Sequence, residues 1–338
     1  MTTLFLSDLY ERGLINPVRS GADRLLVVSG YASPIIASQL LTDALDQFRR
    51  KLAIEIVVGM TGKDGVPMDM HRGFESLLSE PRAELLKVAY MPTGRAVHTK
   101  LYVWLRGDEP MSAFVGSSNF TQNGFLVGVR NKRRDELLTQ VAVDEALAEY
   151  QRVEGESISI DNPSLWDEVE VRRRVTTMET DSPLPEDFAT SVQVVEAEHV
   201  ILPLVMKNGN VHLRSGLNWG QRPGREPNQA YIPVPSTIAQ LGFFPPRGVQ
   251  FLVLTDDDRA IIMVVAQDGN KALESPQGNH LIGEYFRNRL GVANGAPVTA
   301  ADLARFGSRF VKFYKTDDES YFMEFSPSVE REGEDVYG

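Results

Sequence analysis

His98-Thr99-Lys100 heads one alternating apolar run, and Gly116-Ser117-Ser118-Asn119 closes the next. Residues two apart on a strand point to the same face, so an extended chain brings the His98 imidazole and the Lys100 ammonium to one side. Leu101, Val103 and Leu105 carry the alternation onward, and Ala113-Phe114-Val115 reads as the neighbouring strand, ending in a Gly-Ser turn that presents Asn119. A nucleophile, a fixed cation and an amide donor thus converge at adjacent strand ends. That combination suits a phosphate.

The two motif strands sit inside a regular alternation. Leu25–Val28, Ile54–Val58, Leu85–Tyr90 and Leu137–Val143 read as further strands, and Pro34–Arg50, Met70–Ser79 and a helix starting over Asp144–Arg152 as helices. This predicts an α/β sandwich, a mixed sheet covered by helices. From Gly155 the pattern loosens. Trp166–Arg174 suggests a short helix, and Thr180-Asp181-Ser182-Pro183-Leu184-Pro185 is a strong breaker where a linker is expected. Beyond Val192 the signal changes to short strands (Val200–Val205, Val211–Arg214, Ala230–Val234, Gln250–Thr255, Ala260–Ala266, Phe310–Tyr314) and two helices (Pro235–Leu241, Gly278–Leu290), the pattern of a β-barrel-like domain. The expected division is residues 1–178, with linker from about 155, then 190–327 and an acidic, disordered tail over 328–338.

With 338 residues and 42% hydrophobic side chains the chain can bury about two cores. It has no apolar run of about 18 residues, so no membrane span is expected. Met1–Asp8 lacks a basic, apolar leader, so no signal peptide is expected either. The absence of cysteine removes disulfides and thiolate metal sites and fits a cytoplasmic protein. A net charge of −11 argues against indiscriminate nucleic-acid binding, yet the segments Arg95–Arg134 and Lys207–Lys315 each carry a local excess of five positive charges. Local fields steer a polyanion more than the total does.

A neutral imidazole can attack phosphorus and split a phosphodiester displacement into two easier steps. Lys100 and Asn119 would stabilise the charge that gathers on the non-bridging oxygens, with Ser117 or the turn's N–H groups adding donors. A carboxylate is still needed to orient the imidazole. Glu136, opening the next sheet strand, is the candidate, and Asp135 is its competitor.

The His-x-Lys and Gly-Ser-x-Asn pattern resembles that of the phospholipase D superfamily. The resemblance implies a histidine nucleophile, no metal in the chemistry, and two motif copies per site. This chain has one copy, since His71, His199, His212 and His280 are not followed by a lysine two residues on. A homodimer with one site on a two-fold axis is therefore implied, one His98 attacking and its mate protonating the leaving oxygen. There are departures. The position five after the lysine, where many members carry Asp, is Leu105, with Asp108 three residues later, and the carboxylate follows Asn119 only after Gly124–Arg134. Arg130, Lys132, Arg133 and Arg134 in that insertion could hold a nucleic-acid backbone.

A second constellation lies downstream. Ser215–Gln229 is polar and rich in Asn, Gln and Arg, types that match base edges. Asn218, Trp219, Gln221, Arg222, Arg225 and Asn228 are its candidate DNA contacts. Gln277 and Asn279, with Arg287 and Arg289 on the helix that follows, form a second arm suited to a phosphate backbone. This half, through Ser215–Gln221, Arg225, Ala230–Pro233 and Tyr285–Gly291, resembles NgoFVII-type restriction endonucleases. In that family a phospholipase-D-like nuclease domain precedes a B3-like pseudobarrel.

The resemblance implies a site-specific restriction endonuclease acting on double-stranded DNA, paired with a cognate methyltransferase. Where ATP is needed, the resemblance implies that it enters through a separate helicase-like subunit, because no phosphate-loop motif occurs here. Two rivals remain: a nonspecific nuclease or other phosphodiesterase of the superfamily, and a DNA-binding protein with a degenerate nuclease fold.

Overall fold

The computed structural model describes residues 3–125, 127, 136–172 and 198–328, and its packing divides the chain into two compact units after Arg173. The basic insertion 130–134, Asp135, the 180–185 breaker and the tail from 329 lie outside the described residues.

The first unit is built on an eight-stranded mixed sheet. In chain order its strands are β1 (Leu4–Phe5), β2 (Arg24–Ser29), β3 (Ala53–Val58), β5 (Leu86–Tyr90), β6 (Leu101–Arg106), β7 (Glu109–Gly116), β8 (Leu138–Val141) and β9 (Ile158–Ser159), and β4 (Val66–Pro67) stands outside it. The spatial order is β1-β8-β7-β6-β2-β3-β5-β9. β2, β3 and β5 run parallel, and β6, β7 and β8 are antiparallel.

Helices α1 (Asn16–Arg19), after a π turn over Glu11–Ile15, α2 (Pro34–Phe48), α3 (Thr61–Asp64), α4 (Met68–Leu78) and α5 (Val143–Glu154) accompany the sheet. Strand β2 explains the layering. Leu25 and Val27 enter one core with Ile36, Leu40 and Leu41 of α2 and Phe74 and Leu77 of α4, whereas Leu26 and Val28 enter the other with Ala146, Tyr150 and Val153 of α5. A strand covered on both faces reads as an unbroken apolar run. α2 starts where the sequence dictates, with Ser33 Oγ accepting from Ile35 N at 3.2 Å and Pro34 in the first turn.

Residues 156–172, where a linker was expected to begin, pack onto this unit. β9 pairs with β5, and α6 (Leu165–Glu168), shorter than the expected helix, buries Leu165. β10 (Val171–Arg172) pairs with β4. Ile160, Leu165 and Val169 supply too few apolar positions for a periodic signal, yet all three are buried in the main core.

The second unit is β-rich. Its strands are β11 (His199–Pro203), β12 (Ile232–Pro233), β13 (Gln250–Thr255), β14 (Ala260–Ala266), β15 (Ala272–Glu274), β16 (Phe310–Lys315) and β17 (Ser320–Glu324), in the order β11-β16-β17-β13-β14-β15-β12. Among the described residues of this sheet only the β13–β17 pair is parallel. The two edge strands, β11 and β12, approach each other, so the sheet curls into a half-barrel. α7 (Ser236–Leu241), α8 (His280–Leu290) and α9 (Ala300–Phe306) accompany it.

Three expectations change here. Val211–Arg214 is a turn and not a strand, and Ala230–Val234 forms only the two-residue β12. β15, β17 and α9 go beyond the expected elements. The start of α9 carries a readable signal, a capping box in which Thr299 and Asp302 bond reciprocally.

Candidate active site

His98 and Lys100 lie on the extended lead-in to β6, not within the strand as expected. The effect on geometry is small. Val97 N donates to Gly59 O at 2.9 Å and Gly116 N to Lys100 O at 3.3 Å, so the lead-in is held between the ends of β3 and β7. His98, Thr99, Lys100, Val115, Gly116, Ser117, Asn119 and Glu136 line one open pocket of about 680 Å³. The five residues expected to carry the chemistry are thus brought together.

Each is fixed differently. His98 is exposed, and its ring packs over Gly30, just past β2. A Cβ on Gly30 would lie 2.6 Å from His98 Cδ2 and 3.3 Å from Asn119 Oδ1. The Tyr31 ring meets the imidazole edge-on at 6.2 Å, and its hydroxyl donates to Asp64 Oδ2 at 2.6 Å. Lys100 is buried, and its Nζ donates to His98 O at 2.7 Å. Burial pulls its pKa below the usual lysine value, and the nearby Glu136 charge opposes that shift.

Asn119 Oδ1 accepts from Tyr31 N at 3.1 Å and from Ser29 Oγ at 3.4 Å. With its oxygen so engaged, the end of the amide left to serve a ligand is its NH₂ group, a pure donor. Ser117 Oγ donates to Glu136 Oε2 at 2.5 Å and accepts from Leu137 N at 3.0 Å. Glu136 is therefore anchored by Ser117, and among the described residues no hydrogen bond joins it to the His98 imidazole. Gly116 is required by space as well, since a Cβ there would lie 2.0 Å from Leu137 O.

Sequence reasoning missed Ser29, Gly30, Tyr31 and Asp64. A signal was present in Ser29-Gly30-Tyr31, which follows a buried parallel strand. Ligand sites of open α/β sheets lie beyond the carboxyl ends of such strands.

Two family models match the chain. Residues 7–166 match the NgoFVII restriction endonuclease N-terminal PLD domain, and residues 192–317 match the NgoFVII C-terminal B3-like DNA-binding domain. The chain belongs to the NgoFVII restriction endonuclease family. It is a DNA-hydrolysing enzyme of the phospholipase D type joined to a DNA-binding domain. Comparison with curated proteins returns no match.

Among solved structures the chain is similar to NucT from Helicobacter pylori (15% identity, TM-score 0.32, covering 47% of this chain and 98% of that one). It is similar to Nuc, a phospholipase D family member from Salmonella typhimurium (12%, 0.32, 47% and 97%). A further likeness is to polyphosphate kinase from Porphyromonas gingivalis (13%, 0.30, 51% and 26%). Among the described residues no helix is long and apolar enough to cross a membrane.

The B3-like unit of this NgoFVII-family nuclease rearranges the expected DNA contacts. Asn218 is buried, and its amide is fully committed. Nδ2 donates to His212 O and to Val298 O (3.1 and 2.7 Å), and Oδ1 accepts from Val298 N at 2.8 Å. Arg287 is wholly buried. Its guanidinium donates to the carbonyls of Ala296, Asn228, Gly283, Leu217 and Pro227 at 2.8–3.4 Å. Neither side chain can reach a duplex, and both serve as internal braces.

Gln221 donates to Pro227 O and Gly295 O, and Asn228 Oδ1 accepts from Gly295 N at 2.6 Å. Gln277 Oε1 accepts from Ile262 N and Asn279 Oδ1 from Ser275 N. Arg289 donates to Asp256 Oδ2 and Phe325 O. Trp219, Arg222 and Arg225 remain. The last two are exposed, and Arg225 stacks on the half-buried Trp219 at 3.9 Å.

Proposed function

We propose that the protein is a site-specific endodeoxyribonuclease in which two copies share one active site and cut DNA through a phosphohistidine. The observation that supports this most is the pocket, where His98, buried Lys100 and Asn119 line one space and His98 is the single histidine in its lining. One His98 attacks phosphorus, the bond to the leaving oxygen breaks, and the mate's imidazolium gives that oxygen its proton. Water, deprotonated by the mate's now neutral imidazole, then attacks the phosphorus and releases His98. Lys100 and Asn119 hold the non-bridging oxygens throughout. Glu136, anchored by Ser117, supplies the carboxylate that orients an imidazole once two copies meet. Arg222, Arg225 and Trp219 position the duplex. ATP, where required, acts through a separate helicase-like subunit, and the cognate methyltransferase is a separate chain.

The test is cleavage of unmethylated plasmid in EDTA, with and without ATP and the neighbouring gene products, quenched in alkali to preserve phosphohistidine. A DNA adduct on His98 is expected. His98→Ala should cut nothing and form no adduct while still binding duplex. Cleavage by His98→Ala, or loss of all cleavage to EDTA under conditions needing no ATP, would overturn the proposal.

A further inference from the structure

Leu213 is the most exposed large apolar side chain among the described residues, at 81%. The turn that carries it is held on every side. Val211 before it and Leu217 after it are buried in the core of the second unit. Asn218 Nδ2 donates to His212 O at 3.1 Å, and Arg222 Nε donates to Arg214 O at 2.8 Å, so the carbonyls flanking Leu213 are both fixed. Arg214 N donates to His212 Nδ1 at 3.1 Å, which closes the turn. A single exposed leucine is ordinary on a protein surface. A leucine at the tip of a turn braced by a buried amide is a preorganised contact, because little conformational freedom is left to lose on binding.

The charge of the flanking sequence points to the occupant. From His199 to Arg225 the chain carries no carboxylate side chain, while Lys207, Arg214, Arg222 and Arg225 are fixed cations within that stretch. An apolar tip on a stretch of chain that carries four cations and no carboxylate fits a polyanion with apolar ground inside it, and residues 192–317 match a DNA-binding domain. In duplex DNA the apolar ground of the major groove is the pyrimidine C5 edge, the thymine methyl or the cytosine C5–H.

We propose that Leu213 enters the major groove and packs against one pyrimidine C5 edge, which makes it a specificity-determining residue. The proposal rests on the site-specific reading above. Leucine offers no hydrogen bond, so what it senses is the presence or absence of a C5 methyl group.

The full-length protein is first used to select from a duplex library with a randomised core. The selected duplex is then resynthesised with each thymine replaced by uracil and each cytosine by 5-methylcytosine, one position at a time. At one position the change should alter Kd by about fourfold, the effect of one buried methyl group. Leu213→Ala should bind the selected duplex several-fold more weakly and show no response at that position, with an unchanged thermal melt because the side chain is exposed. If Leu213→Ala responds to every C5 change as the parent does, or if no position responds in the parent, the Leu213 proposal falls alone. If the parent selects no sequence, the site-specific reading falls and takes it along.

Discussion

At the scale of single residues the active site depends as much on missing atoms as on present ones. Gly30 needs no unusual backbone angle. It needs its bare Cα, because the His98 ring occupies the space a Cβ would take. Gly30→Ala must therefore push the imidazole or Asn119 aside. A misplacement of about 1 Å at a reacting group costs on the order of 100-fold in rate. Single-turnover cleavage should fall by about that factor while duplex binding, measured by filter retention, stays within twofold of the parent. Equal cleavage by the variant would show that the ring has room to spare. Tyr31 belongs to the same arrangement, since its backbone N–H orients Asn119 and its ring borders His98.

At the scale of elements the C-terminal loops are governed by their carbonyls. The stretch 215–229 belongs to no sheet and has only a short 3-10 segment and turn bonds, so several of its backbone carbonyls take side-chain donors. Arg287 reaches up from α8 and satisfies three of them, Leu217, Pro227 and Asn228, while also donating to the carbonyls of Gly283 and Ala296. Arg287→Met should lower stability by on the order of 3 kcal/mol, since several buried acceptors lose a charged donor together. Arg225→Ala, on the exposed side, should stay within about 0.5 kcal/mol. Urea titration of the two variants separates these outcomes.

The same loops mark the limit of what the sequence discloses. Arg, Asn and Gln in a Gly- and Pro-rich loop carry the donors that read bases and equally the donors that satisfy a ladderless backbone. Composition cannot tell the two uses apart, and only burial does. The nuclease motif was legible for the opposite reason. His98, Lys100, Gly116, Ser117 and Asn119 fall at fixed places at the adjoining ends of two strands whose alternation is plain, so order and spacing carry the geometry. Ser29, Gly30 and Tyr31 carried a signal for a ligand site at a strand end but none that tied them to His98, because β2 is joined to β6 only through the sheet order.

At the scale of the whole molecule the proposed shared site, with one His98 per chain, would make catalysis a property of a pair. Sedimentation should give twice the 37.6 kDa chain mass, and specific activity should fall on dilution as the pair dissociates. Adding excess His98→Ala should poison the parent, since mixed pairs hold a nucleophile without its acid. Activity that is independent of dilution and of the added variant would mean that a single chain suffices. A different consequence follows from how the second unit is made. Its braces, Asn218 and Arg287, point inward, whereas Leu213, Arg222 and Arg225 stand at the surface. Leu213 and Arg225 can therefore change with little effect on folding, while Arg222 is bound to the turn through Arg214. On the proposed site-specific reading, a lineage could rewrite its recognition sequence a letter at a time while keeping a foldable protein at every step.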